Sequence, residues 1–143
     1  MAALTLEPCA ARVTWRAGEA LTSEAWGALL RGFAEAVARR AVEEGAVLVG
    51  HIKGIARPAA GGFLHVSAVS GDHPATVQGR VPEGLRELAL ELVALVYGLP
   101  QSTVASVVED AAREEGCSRS CSTAVERLDS AARFDGLHLE KAP

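Results

Sequence analysis

The side chains best suited to chemistry fall in two clusters. Cys117-Ser118-Arg119-Ser120-Cys121 spaces two thiols four residues apart. On a helix that spacing brings both to one face, where zinc or copper(I) would bind if other donors joined them. A structural zinc site takes four donors, and the remaining candidates are Cys9 and the scattered His51, His65, His73 and His138. Cys117 and Cys121 therefore stand as candidate zinc ligands, against the plainer reading of two reduced cysteines in a loop. The second cluster is His51 and Lys53 on one β-rich run with His65 and Ser67 on the next. If the two runs pair in a suitable register, both imidazoles share a face with the amine and would hold an anion or a metal. The plainer alternative is a pair of half-buried sheet histidines bonded to neighbours. Nucleophilic catalysis has no such support, because Ser67, Ser70 and Cys117 lack an elbow motif and no spacing proposes a base. No cofactor is expected beyond the zinc that the thiols would take.

The elements that must position these residues are legible in part. Trp26, Leu29, Leu30, Phe33, Val37 and Ala41 recur at helical spacing between a capping Thr22 or Ser23 and a terminating Gly45, which predicts a helix over 22–44. The run 46–56 follows as a strand, Arg57 to Gly62 turns, and 63–70 returns as its hairpin partner. A weaker strand is expected over 75–81, and a short first strand over 10–16. Residues 83–99 are ambiguous: the leucines fit either period, propensity favours helix, and a helix would stack Glu83, Glu87 and Glu91 at four-residue intervals. Pro100-Gln101-Ser102-Thr103 starts a second helix, expected over 102–115 and ended by Gly116. Residues 123–132 read as an edge strand or a short helix, and 133–143 as a tail.

Length and composition bound the rest. A chain of 143 residues, 49% hydrophobic and poor in aromatics, makes a single domain, with a core over about 10–132 built of Leu, Val and Ala. A net charge of -4 without a basic cluster argues against nucleic acid as a partner. No run reaches the roughly 20 apolar residues of a membrane span, no signal core opens the chain, and three cysteines cannot all pair within it, so a cytoplasmic protein with reduced thiols is expected.

Three pieces together resemble the C-terminal domain of CobW-type GTPases, the metallochaperone-like branch of the P-loop GTPases. They are the helix leading into Ala46-Val47-Leu48-Val49-Gly50-His51-Ile52-Lys53-Gly54, the strand Gly62-Phe63-Leu64-His65-Val66-Ser67, and Leu88-Ala89-Leu90-Glu91-Leu92-Val93-Ala94-Leu95-Val96-Tyr97-Gly98-Leu99 running into a helix. The resemblance implies that 88–96 is a strand. It also implies a partner-binding or regulatory module standing alone, because the chain has no Gly-x-x-x-x-Gly-Lys-Ser/Thr phosphate loop. The expected architecture is α+β: an antiparallel sheet of four to five strands with two helices on one face, a ferredoxin-like sandwich. Its open face would carry His51, Lys53, His65 and Ser67 and would bind a protein partner or a second copy, giving a homodimer. The chain reads as a non-enzymatic module; the alternative is a small metal-dependent enzyme or metal sensor using the histidines and cysteines.

Overall fold

The computed structural model describes residues 8–69 and 73–128. Eight elements follow in the order β1 (Cys9–Leu21), α1 (Ser23–Glu43), β2 (Leu48–Ala56), β3 (Phe63–Ala68), β4 (Thr76–Arg80), β5 (Leu85–Tyr97), α2 (Gln101–Ser118) and β6 (Cys121–Arg127). The class is α+β as expected, but the sheet has six strands rather than four to five, in the order β4-β3-β2-β5-β1-β6. Every neighbouring pair is antiparallel. Both helices are crossovers that leave a gap for one strand: α1 links β1 to β2 with β5 between them, and α2 links β5 to β6 with β1 between them. The strand beyond the expected five is β6, the edge-strand alternative for residues 123–132, and the hairpin β3–β4 extends the sheet beyond β2 on the other side. The expected tail 133–143 lies outside the described residues.

Helix α1 forms where the sequence signals agree. Thr22 caps it, its hydroxyl accepting from the Ala25 amide at 3.0 Å. At the other end Gly45 takes φ 105°, and the amides of Gly45 and Ala46 return to the carbonyls of Val42 and Ala41 at 3.0 Å each. Between the caps Trp26, Leu29, Leu30, Phe33 and Val37 are buried, and α1 lies across β2, β3 and β4. On the sheet they meet Ile52, Leu64, Val66, Leu90 and Leu92 in one core.

Trp15 ties the other half together. Its ring meets Phe33 of α1 edge-on, with centroids 5.2 Å apart and planes at 74°. Its indole nitrogen donates to the Ala112 carbonyl of α2 at 3.0 Å. The expected stop of α2 at Gly116 is corrected: the helix continues to Ser118, and Gly116 is the point where α2 comes closest to the sheet. A Cβ there would lie 2.9 Å from Cδ1 of Trp15 and would overlap the Thr123 hydroxyl.

Residues 85–97 are a strand rather than a helix, and cross-strand charge explains how the glutamates are accommodated. Glu87 and Glu91 stand directly opposite Arg16 and Arg12 of β1. Glu83, just before the strand, accepts from the Ser23 amide at 3.2 Å. No helix among the described residues is long and apolar enough to cross a membrane.

Candidate functional site

With both helices on one side, no other described element covers the opposite face of the sheet. Alternation places His51, Lys53 and Ile55 of β2, Phe63, His65 and Ser67 of β3, and Thr76, Gln78 and Arg80 of β4 on it. The same side carries Glu87, Ala89, Glu91, Val93 and Leu95 of β5, Arg12, Thr14 and Arg16 of β1, and Ala124 and Glu126 of β6. All four residues of the candidate binding face, His51, Lys53, His65 and Ser67, thus share one surface, but they are not gathered at one point. Lys53 stands opposite Ser67, while His65 stands opposite Ile55. His51 is four residues along β2 from Ile55, about 13 Å at strand rise. The two imidazoles therefore do not approach each other.

A bulge at Gly50 sets the position of His51. Val49 pairs with Val96 and His51 with Leu95, so one residue of β2 is unmatched and the side-chain phase flips. Val49 is consequently buried on the helix side with Ile52, and Leu48 is 54% exposed.

The open face carries a shallow groove of about 540 Å³ lined by Arg12, Ile55, Arg57, Ala89 and Glu91. Ala89 forms its low point because its neighbours across and along the strands are larger. Arg12 is pinned there between two carboxylates, at 2.7 Å from Glu91 and 2.9 Å from Glu126. The hydrogen bond that Arg12 donates to Glu91 contributes most to raising the guanidinium above its ordinary pKa, opposed by desolvation. Arg57, by contrast, makes no hydrogen bond or ion pair among the described residues, and neither do Lys53 and Arg80. Sequence reasoning passed over Arg12, Arg57, Ala89 and Glu91. A signal was present, because Arg12-x-Thr14-x-Arg16 and Glu87-x-Ala89-x-Glu91 are charge-complementary in antiparallel register with small residues between them.

The thiols are placed differently from the helical reading. Cys117 is exposed in the last turn of α2 and Cys121 opens β6, separated by a turn in which the Ser120 amide returns to the Cys117 carbonyl at 3.2 Å. Cys121 pairs across to Ala17, whereas Cys9 sits eight residues away on the same strand β1, about 26 Å at strand rise. Among the described residues no three His, Cys, Asp or Glu side chains stand together where they would hold a metal ion. Burial pushes the Cys121 thiol above its ordinary pKa, opposed by the charge of Arg119. Iodoacetamide should therefore label exposed Cys117 first, Cys121 more slowly and buried Cys9 last, as followed by peptide mass spectrometry. Faster labelling of Cys121 than of Cys117 would contradict this placement.

No family model, no curated protein and no solved structure matches the chain.

Proposed function

We propose that the chain is a non-enzymatic, cytoplasmic binding module that docks another protein on the uncovered face of its sheet. The observation that carries this reading is the composition of that face. It combines apolar side chains at its centre, Ile55, Val93 and Leu95, and an exposed Phe63 with the cations Lys53, Arg57 and Arg80, which have no ion-pair partner among the described residues, and with the carboxylates of Glu87, Glu91 and Glu126 held by arginines. A surface that is merely solvated has no need of such an apolar centre, and the groove is too open to enclose a small molecule by itself. Without β3 and β4 the strand order is β6-β1-β5-β2, that of a ferredoxin-like sandwich. The order of helix, strand, hairpin, strand and helix supports a likeness to the partner-binding half of CobW-type GTPases, here without a nucleotide-binding half. Cys9, Cys117 and Cys121 are not joined in disulfides, which fits a reducing compartment.

Photo-crosslinking in the cells that make the protein tests the proposal. Benzoylphenylalanine in place of Ile55 or Leu95 should yield one discrete protein adduct, and the same probe in place of exposed Val42 on α1 should not. Adducts from Val42 alone would place the docking surface on the helices and overturn the reading.

A further inference from the structure

We infer that the partner on this face is a second copy of the chain, packed sheet to sheet about a two-fold axis parallel to the strands over the boundary between β2 and β5. The inference rests on the docking role proposed above for the same face.

Its first support is shape. The register sets out a row of open-face residues across all six strands: Arg80 and Phe63 face each other on β4 and β3, Arg57 follows the last paired residue of β2, and Ala89, Thr14 and Ala124 continue the row on β5, β1 and β6. Three large side chains occupy one half of the row and three small ones the other. Strands β2 and β5 are the central pair of the sheet, so an axis running between them carries each half onto the other. Arg57, Phe63 and Arg80 of one copy then stand over Ala89, Thr14 and Ala124 of the other. Packed sheets lie about 10 Å apart with interdigitating side chains, and Phe63, 46% exposed, would be covered.

Charge is the second support. The half made by β2, β3 and β4 presents Lys53, Arg57 and Arg80, all without ion-pair partners among the described residues. On the other half Arg12 is shared between Glu91 and Glu126, and Arg16 pairs with Glu87, leaving an excess of carboxylate. The same axis lays the cationic half of each copy on the acidic half of the other. Arg57 then arrives over Ala89, between Glu87 and Glu91, in the groove already described. Rotation about an axis across the strands would instead stack cations on cations.

Area is sufficient. Six strands about 4.8 Å apart and roughly 20 Å long give a flat face of roughly 500 Å² per copy, about 1,000 Å² in total, the lower bound for a specific interface.

Transposing the row tests the geometry. Sedimentation of the full chain across a concentration series should show a monomer–dimer equilibrium. Ala89→Arg puts a second guanidinium opposite Arg57 of the other copy and should weaken dimerisation at least about 100-fold, because like charges in contact oppose association. Ala89 is solvent-exposed, so the variant should fold, as circular dichroism would verify. Exchanging the two residues, Arg57→Ala with Ala89→Arg, restores a large side chain opposite a small one. It should return the dissociation constant to within about tenfold of the original, the coupling that a direct contact across the axis requires. An unaltered dimer in Ala89→Arg, or no recovery in the exchanged variant, would overturn the proposed packing. A chain that stays monomeric throughout would overturn self-association, while an adduct from Ile55 to a different protein would leave the docking role standing.

Discussion

Trp15→Ala is expected to lower the free energy of unfolding by about 3–5 kcal/mol, the cost of emptying a large aromatic site that cannot fully collapse. The indole hydrogen bond to Ala112 adds about 1 kcal/mol. Domains of this size are stable by roughly 5–15 kcal/mol, so the variant should be close to unfolding. The effect is large because one side chain joins three elements: it sits on β1, meets Phe33 of α1 and bonds to α2. Trp15→Phe should recover most of the loss, since a ring still reaches Phe33 and only the donor and part of the volume are gone. His51→Ala serves as the control, because His51 is exposed beside the bulge and a surface substitution usually costs within about 0.5 kcal/mol. Equilibrium urea unfolding at one fixed protein concentration measures all three. A Trp15→Ala cost as small as that of His51→Ala would contradict the packing of both helices on this face.

Gly116→Val is expected to destabilise by about 1–3 kcal/mol through overpacking, although intrinsic helix propensity alone would favour valine over glycine by a few tenths of a kcal/mol. The two effects oppose each other, and geometry decides. A Cβ at Gly116 already crowds Cδ1 of Trp15 at 2.9 Å and the Thr123 hydroxyl, and valine adds two methyl groups at the same point. The Thr123 side chain is able to rotate away. Trp15 is held by Phe33 and Ala112 and is not. Thermal unfolding of Gly116→Val and Gly116→Ala should show the larger loss for valine. An increase in stability for valine would mean that α2 does not lie against β1 and β6 as described.

Local signals carried the parts of this fold that were legible in the sequence. Thr22, the stripe from Trp26 to Ala41 and Gly45 specify α1 without reference to any other segment, and the structure agrees within a residue. Gly116 misled for a related reason: glycine marks helix ends and also close approaches, and only the position of Trp15, about a hundred residues earlier, separates the two meanings. The bulge at Gly50 was hidden because a bulge is defined by its partner strand. One unmatched residue was enough to expose Leu48 and to put Val49 on the opposite side from His51. Strand β5 was ambiguous because Leu88, Leu92 and Val96 satisfy both periods. The resolving information lay in Arg12 and Arg16, whose ion pairs with Glu91 and Glu87 convert a repulsive helical ladder into cross-strand attraction. The four residues of the candidate binding face reached one surface because alternation alone assigns a face. Their distances along it depended on hairpin register, which neither strand specifies by itself. The groove was illegible for the same reason, since Arg57 and Ala89 meet only once β2 lies beside β5.

The account as a whole turns on the uncovered face of the sheet being a contact surface between copies of the chain, and hydroxyl-radical footprinting as a function of protein concentration tests that most directly. As concentration rises, the reactivity of Ile55, Phe63 and Leu95 should fall together, while exposed Val42 on α1 and exposed Val47 before β2 stay unchanged. Constant reactivity of the sheet-face residues, or protection confined to α1 and α2, would contradict it.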